Sequence, residues 1–153
     1  MQDVLRTDGF YFEEIEVGQK FTTRARTITE TDLVSFCNLT WMTESLFTDT
    51  ANHRDGIAAT GRVVPGVMVY AMAEGLLTFT MEHTGMAFLE AQFNVKGPTC
   101  VGDTIHVEGE ILEARPTSKP GRGLVRFGIT VRKQDGTECI HYTPLRMLRC
   151  RDQ

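Results

Sequence analysis

The sequence predicts an α+β domain in which an antiparallel sheet wraps around one long central helix. The run "GVMVYAMAEGLLTFTM" (66–81) is apolar on nearly every side, which is typical of a helix that the rest of the protein encloses. The segments that follow it alternate apolar and polar residues between turn signals, which indicates half-buried strands. A sheet that curls around a single buried helix, predicted here from Gly66 to about His83, is the hot-dog arrangement.

The individual elements follow from local patterns. "TIHVEGEILEA" and "LVRFGITVRKQ" alternate cleanly and predict two long strands, and Asp135-Gly136 predicts the tight turn to a last strand in "ECIHYTPLRMLRC". "MAFLEAQFNVKG" predicts the strand after the helix, and "KFTTRART" (20–27) predicts one before it. Thr29 followed by Asp32 approximates a capping box and predicts a short amphipathic helix in "TETDLVSFCNL".

Size and composition favour one domain over residues 1–153 and exclude several classes of function. The net charge is −4 with both signs interleaved, so no basic stripe predicts nucleic-acid binding. The N-terminus lacks the pattern of a signal peptide, and the apolar run is too short for a bilayer and contains Glu74. The four Cys and four His are dispersed, so we expect no metal site and a cytoplasmic protein with reduced thiols.

Several motifs, in their order along the chain, resemble the MaoC-like hydratase/dehydratase family of hot-dog proteins. They include "FEEIEVGQ", "GRVVPG" and "VGDTI", and the resemblance runs from about Phe12 to about Leu148. It implies a hot-dog fold and a dimer whose sheets join edge to edge. It also implies water addition to a 2-enoyl thioester, or water removal from a 3-hydroxyacyl thioester. Coenzyme A would be part of the substrate, and no other cofactor is expected.

The segment at the family's acid–base site departs from the family pattern. That pattern reads D-x-N-P-x-H followed by T-D, and "MTESLF" (42–47) occupies its place, with the T-D kept at 48–49. Met42 stands at the position of the acid and Phe47 at that of the histidine, while Pro65 replaces a further histidine before the helix. Met and Phe do not transfer protons, so the family's dyad cannot operate here.

Three residues are candidate replacements for the lost proton carriers: Glu44, Asp49 and His53. Glu44 leads, because a single carboxylate with a raised pKa near apolar neighbours can both deliver and accept a proton. Each candidate also has a structural interpretation. Glu44 would be a solvated loop residue, Asp49 a turn cap, and His53 a surface histidine.

Other residues are candidates for substrate binding. Backbone N–H groups at Gly66 and Val67 begin the central helix and would hold the thioester oxygen, although the same residues suffice as a plain helix start. Lys119 and Arg122 lie in the turn "SKPGRG" and, like Arg62, would contact phosphates of coenzyme A. The alternatives are a solvated connection for the first two and structural pairing for Arg62.

Three functions remain open at this point. The first is a MaoC-type lyase with a rearranged site in which Glu44 transfers the protons. The second is an acyl-CoA thioesterase that uses one carboxylate and the helix N-terminus. The third is a non-catalytic acyl-CoA-binding chain or partner subunit, in a homodimer or a hetero-oligomer with a catalytic hot-dog chain.

Overall fold

The computed structural model describes residues 6–51 and 61–151, which form helices on one face of an antiparallel sheet. The helices of these ranges are α1 (Glu30–Thr40), α2 (Ser45–Thr48) and α3 (Gly66–Leu76). The strands are β1 (Lys20–Thr22), β2 (Arg26–Thr27), β3 (Gly85–Glu90), β4 (Phe93–Val95), β5 (Thr104–Pro116), β6 (Arg122–Lys133), β7 (Glu138–Tyr142) and β8 (Leu145–Arg149). In the described ranges, no helix is long and apolar enough to cross a membrane.

The two long strands β5 and β6 pair with each other at the centre of the sheet. On one side, β1 and β2 pair in succession with β5; on the other, β7 and β8 pair in succession with β6. The next position is taken by β4, which pairs with β7, and β3, which pairs with β8. Each segment predicted as one short strand is therefore divided in two, because its backbone pairing is interrupted part-way. In the last segment, Pro144 lies at the interruption and lacks an N–H donor.

The predicted alternation along the central strands is confirmed. The residues of β5 and β6 that point toward the helices are buried and their neighbours are not; they are Ile105, Val107, Gly109, Ile111, Val125, Phe127, Ile129 and Val131. Together with buried residues of α1 and α3 they form the core. The α+β arrangement of an antiparallel sheet packed around a helix is thus confirmed.

Two expectations about the central helix are wrong. The helix ends at Leu76 rather than near His83, because the N–H of Leu77 donates to two carbonyls and a 3-10 turn follows at Thr78–Thr80. The helix is also not enclosed on every side in this chain. Met68, Val69 and Ala73 are buried, whereas Val67 is 47% exposed.

The helix carries one acidic side chain, Glu74 in its last turn, and that side chain bonds to the sheet. Glu74 accepts hydrogen bonds from the Tyr142 hydroxyl at 2.6 Å and from the Arg146 guanidinium at 2.8 Å and 2.5 Å. Burial raises the pKa of Tyr142, which keeps its hydroxyl protonated and able to donate. The Arg146 side chain is only 5% exposed and stacks 5.1 Å from the Phe88 ring centroid. These contacts join α3 to β7 and β8.

The first helix begins as predicted and ends in an unusual conformation. The Thr29 hydroxyl accepts from the Asp32 N–H at 3.1 Å, and the Asp32 carboxylate accepts from the Thr29 N–H at 2.8 Å, which completes the capping box. Leu33 and Cys37 bury the inner face of α1. Trp41 then ends the helix in a left-handed conformation (φ 61°) with its side chain 86% exposed.

The N-terminal segment is fastened by a carboxylate between two guanidinium groups. Glu14 accepts from Arg6 at 2.6 Å, from Arg151 at 3.0 Å and from the Tyr11 N–H at 2.8 Å. The hydrogen bond from Arg6 is the main cause that lowers the pKa of Glu14 from 4.5 to about 2. Glu14 therefore stays ionised in the folded protein at pH values that protonate it in the unfolded chain.

We predict that Glu74→Gln lowers the free energy of unfolding by about 3 kcal/mol, because it leaves the buried Arg146 charge without its carboxylate. The matched control is Glu90→Gln, which removes the partner of Arg126 from a site where the carboxylate is 62% exposed; there we expect a loss of about 1 kcal/mol or less. Urea unfolding at neutral pH measures both. Equal losses in the two variants would contradict this account of Glu74.

We predict that Glu14→Gln reduces the dependence of stability on acid. Because the folded-state pKa is lowered, the contribution of Glu14 is fully present above pH 4.5 and is lost as the pH falls toward 2. The variant should be less stable than the wild type at pH 7, and the difference should shrink over that interval. Thermal unfolding of both proteins between pH 7 and pH 2.5 measures it, and a difference that stays constant would refute the role given to Glu14.

Candidate functional site

Met42 and Phe47, which the sequence resemblance predicts at the positions of the family's dyad, pack into the protein. Phe47 on α2 is 7% exposed and belongs to the hydrophobic core, and the partly buried Met42 packs against the same core. Neither side chain can move a proton, and both contribute apolar surface to packing. The segment between α1 and α3 is therefore built in part as core.

Arg62 is a structural link in this region. Its guanidinium donates to the Glu30 carboxylate at 2.8 Å and 2.7 Å and to the Phe47 carbonyl at 2.9 Å. The hydrogen bond from Arg62 lowers the pKa of Glu30, so the pair is ionised at neutral pH. Of the two roles considered for Arg62, the structure contains the structural pairing, through which Arg62 joins α1, α2 and the segment that leads into α3.

The candidate proton carriers have different surroundings. Glu44 precedes α2 with its side chain exposed, and its carboxylate has no hydrogen-bond partner among the described residues. Asp49 accepts a hydrogen bond from the Ala51 N–H at 3.0 Å, the turn contact that its structural interpretation requires. His53 lies outside the described residues. Glu44 is therefore the one of the two described candidates whose carboxylate is not already used in a turn.

The start of α3 is accessible at an edge of the sheet. Pro65 is the N-cap, and its carbonyl accepts from the N–H groups of Met68 and Val69. The N–H groups of Gly66 and Val67 precede these and have no acceptor within the helix. A Cβ at position 66 would lie 3.1 Å from the Val95 side chain, so the helix starts directly against β4. The small residue allows this close approach.

Lys119 and Arg122 lie in a separate, basic pocket at the turn between β5 and β6. This pocket has a volume of about 460 Å³ and also includes Met86 and Arg149. In the described part of the chain, none of its three cationic side chains forms a salt bridge, and the Arg122 guanidinium donates to the Met147 sulfur at 3.8 Å. An open pocket with three unpaired cations suits an anion such as a phosphate.

The basic pocket and the start of α3 lie at opposite ends of the sheet within one chain. Val95, beside Gly66, is in register with Ile140 and through it with Val131 on β6. Arg122 begins the same strand nine residues earlier, about 30 Å away along β6. One chain therefore does not bring these two sets of predicted binding residues together.

Sequence reasoning missed two features of this region. Arg149 joins the basic pocket because it pairs in register with Arg122 across β6 and β8, a contact for which the sequence offers no local signal. The edge formed by β3 and β4 carries exposed apolar side chains, which are Met86, Phe88, Leu89, Phe93 and Val95. An unusually apolar strand was visible in "MAFLEAQFNV", but its place at the edge was not.

The sequence matches no known protein-family model and no curated protein. Its structure is similar to solved structures. A MaoC-like dehydratase from Rhodospirillum rubrum superposes with a TM-score of 0.82 at 20% identity, over 95% of this chain and 100% of that chain. An R-hydratase from Pseudomonas aeruginosa in the unliganded form superposes with a TM-score of 0.74 at 23% identity, over 95% of this chain and 88% of that one.

A third similar structure contains the fold twice. A Mycobacterium tuberculosis protein with a double hot-dog fold superposes with a TM-score of 0.82 at 23% identity, over 95% of this chain and 46% of that chain. One hot-dog unit of that protein therefore corresponds to the whole chain described here. From the order and packing of its elements and from these similarities, the protein has the hot-dog fold found in MaoC-like dehydratases and R-hydratases.

Proposed function

We propose that this protein binds acyl thioesters of coenzyme A at the start of α3, in the manner of the MaoC-like hydratase/dehydratase family. The observation that supports it is a helix N-terminus with two N–H groups that have no acceptor within the helix, at an accessible edge of a fold shared with a MaoC-like dehydratase and an R-hydratase. Gly66 and Val67 would donate to the thioester oxygen. Charge that develops on that oxygen would be stabilised by the same donors and by the helix dipole.

We further propose that the working form in the cytoplasm contains two hot-dog units joined through β3 and β4. This edge combines exposed apolar side chains with unpaired backbone groups, which is the arrangement that pairs with another strand. A second copy related by a two-fold axis would pair antiparallel. A different hot-dog chain at the same edge, as in a hetero-oligomer, is the alternative.

The two-fold pairing would complete the binding site. It sets β3 of one copy opposite β4 of the other, so the pocket that includes Met86, Lys119, Arg122 and Arg149 would approach Gly66 of its partner copy. The phosphates of coenzyme A would lie in that pocket while the thioester carbonyl lies at the helix start. This explains why the two sets of residues are far apart within one chain.

The chemistry proposed for the bound thioester is hydration of an enoyl group, or the reverse dehydration, with Glu44 as the single proton carrier. Glu44 is the exposed carboxylate in the segment where the family holds its dyad. A binding-only subunit is the second candidate, and the packing of Met42 and Phe47 into the core favours it. Thioester hydrolysis by the same carboxylate is the third.

We predict that the purified protein hydrates crotonyl-CoA or a longer enoyl-CoA, which is measured as loss of enoyl absorbance without release of free thiol. Glu44→Gln should abolish this activity, and Glu16→Gln, which changes an exposed glutamate of the N-terminal segment, should leave it intact. Release of free thiol would instead support the thioesterase. Absence of both reactions, with the melting temperature still raised by acyl-CoA, would support binding only. No activity and no binding would reject the proposed function.

We predict that Leu89→Glu on β3 converts the protein to a monomer, because it places a charge in the middle of the proposed interface. Leu89 is 48% exposed in the single chain. The control is Leu112→Glu on β5, where the leucine is 40% exposed but lies away from the edge, and where the oligomeric state should not change. Sedimentation velocity measures the mass of both variants. A wild-type protein that is itself monomeric would refute the interface.

A further inference from the structure

A small apolar cavity lies beyond the C-terminal end of α3, between the sheet and the N-terminal segment. Its volume is about 160 Å³, and its apolar walls are Phe10, Ile15, Phe21, Ile111 and Phe127. Ile111 and Phe127 belong to the face of the sheet that carries the core, and the other three belong to residues 10–21. No residue discussed for thioester binding forms part of these walls.

The aromatic wall of the cavity is fixed by packing. The ring of Phe21 lies directly on Gly109, where any Cβ atom would overlap it. The same ring packs edge-on against Phe127, with centroids 6.3 Å apart and an interplanar angle of 76°, and against Phe79 at 6.3 Å and 87°. A ring held by a glycine and two aromatic neighbours has little freedom to fall into the cavity.

The wall contributed by the N-terminal segment is fixed by hydrogen bonds. The N–H of Gly9 donates to the Glu82 carbonyl at 2.7 Å, and the N–H of Phe10 donates to the Thr80 carbonyl at 2.9 Å. At the other end, the N–H of Ile111 donates to the Gln19 carbonyl at 2.9 Å. The segment is anchored on both sides of the cavity, so the cavity is preformed.

Size and lining define the ligand. An enclosed apolar protein cavity of about 150 Å³ binds benzene. This cavity is partly open to solvent, has a volume of about 160 Å³ and is lined mainly by Phe and Ile side chains. Its remaining lining residues are Gln19 and Lys20, with no carboxylate, so an apolar group with a neutral or anionic end fits better than a cation. We propose that the cavity binds a hydrocarbon group of about six carbons.

This cavity is distinct from the start of α3. Gly66 lies against Val95 on β4, and β7 and β6 lie between β4 and β5. The residue of β5 in register with Val95 is Val107, and Ile111 of the cavity wall lies four residues further along the same strand. Four residues of strand and three strand spacings place the cavity on the order of 20 Å from Gly66. The proposal therefore does not depend on thioester binding, and either can fail alone.

The test uses the full chain with isoleucine methyl groups labelled for NMR and hexan-1-ol as the probe. We expect saturable shifts of the Ile15 and Ile111 methyl signals and none for Ile28 and Ile140, which are buried elsewhere. Octanoyl-CoA is the second probe. Shifts of the same two signals with octanoyl-CoA would show that a thioester places its acyl chain in this cavity with its carbonyl away from Gly66, whereas shifts with hexan-1-ol alone would identify a free molecule.

Two variants check the location. Ile15→Phe should fill the cavity and abolish the shift of Ile111, while Val17→Phe, two residues along the same segment and 64% exposed in the wild type, should leave it unchanged. Circular dichroism confirms that each variant is folded. The proposal is overturned if hexan-1-ol shifts neither the Ile15 nor the Ile111 methyl signal of the wild-type protein. It is also overturned if a folded Ile15→Phe binds hexan-1-ol as the wild type does.

Discussion

The structure depends on burying the apolar face of two long strands beneath a helix that is too short to cover it. The 11 residues of α3 extend about 16 Å, whereas the 13 residues of β5 extend about 40 Å. Other parts of the chain complete the cover: Ile28 and Leu33 near one end, and the N-terminal segment with Phe12 and Phe21 near the other. Both proposed binding sites lie where the helix stops, one at its start and one beyond its end.

A charged cluster of Glu74, Tyr142 and Arg146 joins this helix to the sheet. Burying Glu74, Arg146 and Tyr142 costs desolvation that is recovered only when every partner is in place. The two parallel hydrogen bonds from the guanidinium also demand one orientation of the carboxylate. The cluster therefore favours one rotation of α3 against β7 and β8. With that rotation, Met68 and Ala73 face the core and Val67 faces the exposed edge.

The segment between α1 and α3 contributes packing and one ion pair to the structure. Met42 and Phe47 contribute to the core, and Arg62 connects Glu30 and the Phe47 carbonyl to the strand-like approach to the helix. The start of α3 still presents backbone donors, because a helix N-terminus has them whatever side chains surround it. The backbone donors at the start of α3 are thus independent of which side chains occupy the preceding segment.

The sequence by itself determined the features that depend on near neighbours. These are the alternation of β5 and β6, the capping box at Thr29 and the Asp135-Gly136 turn. Tertiary structure alone decided where α3 ends, which strands are interrupted, and which charges meet. Glu74 pairs with Arg146 across 72 residues and Arg62 with Glu30 across 32. Such pairs form because strand register and helix packing bring distant positions together, and no local pattern contains that information.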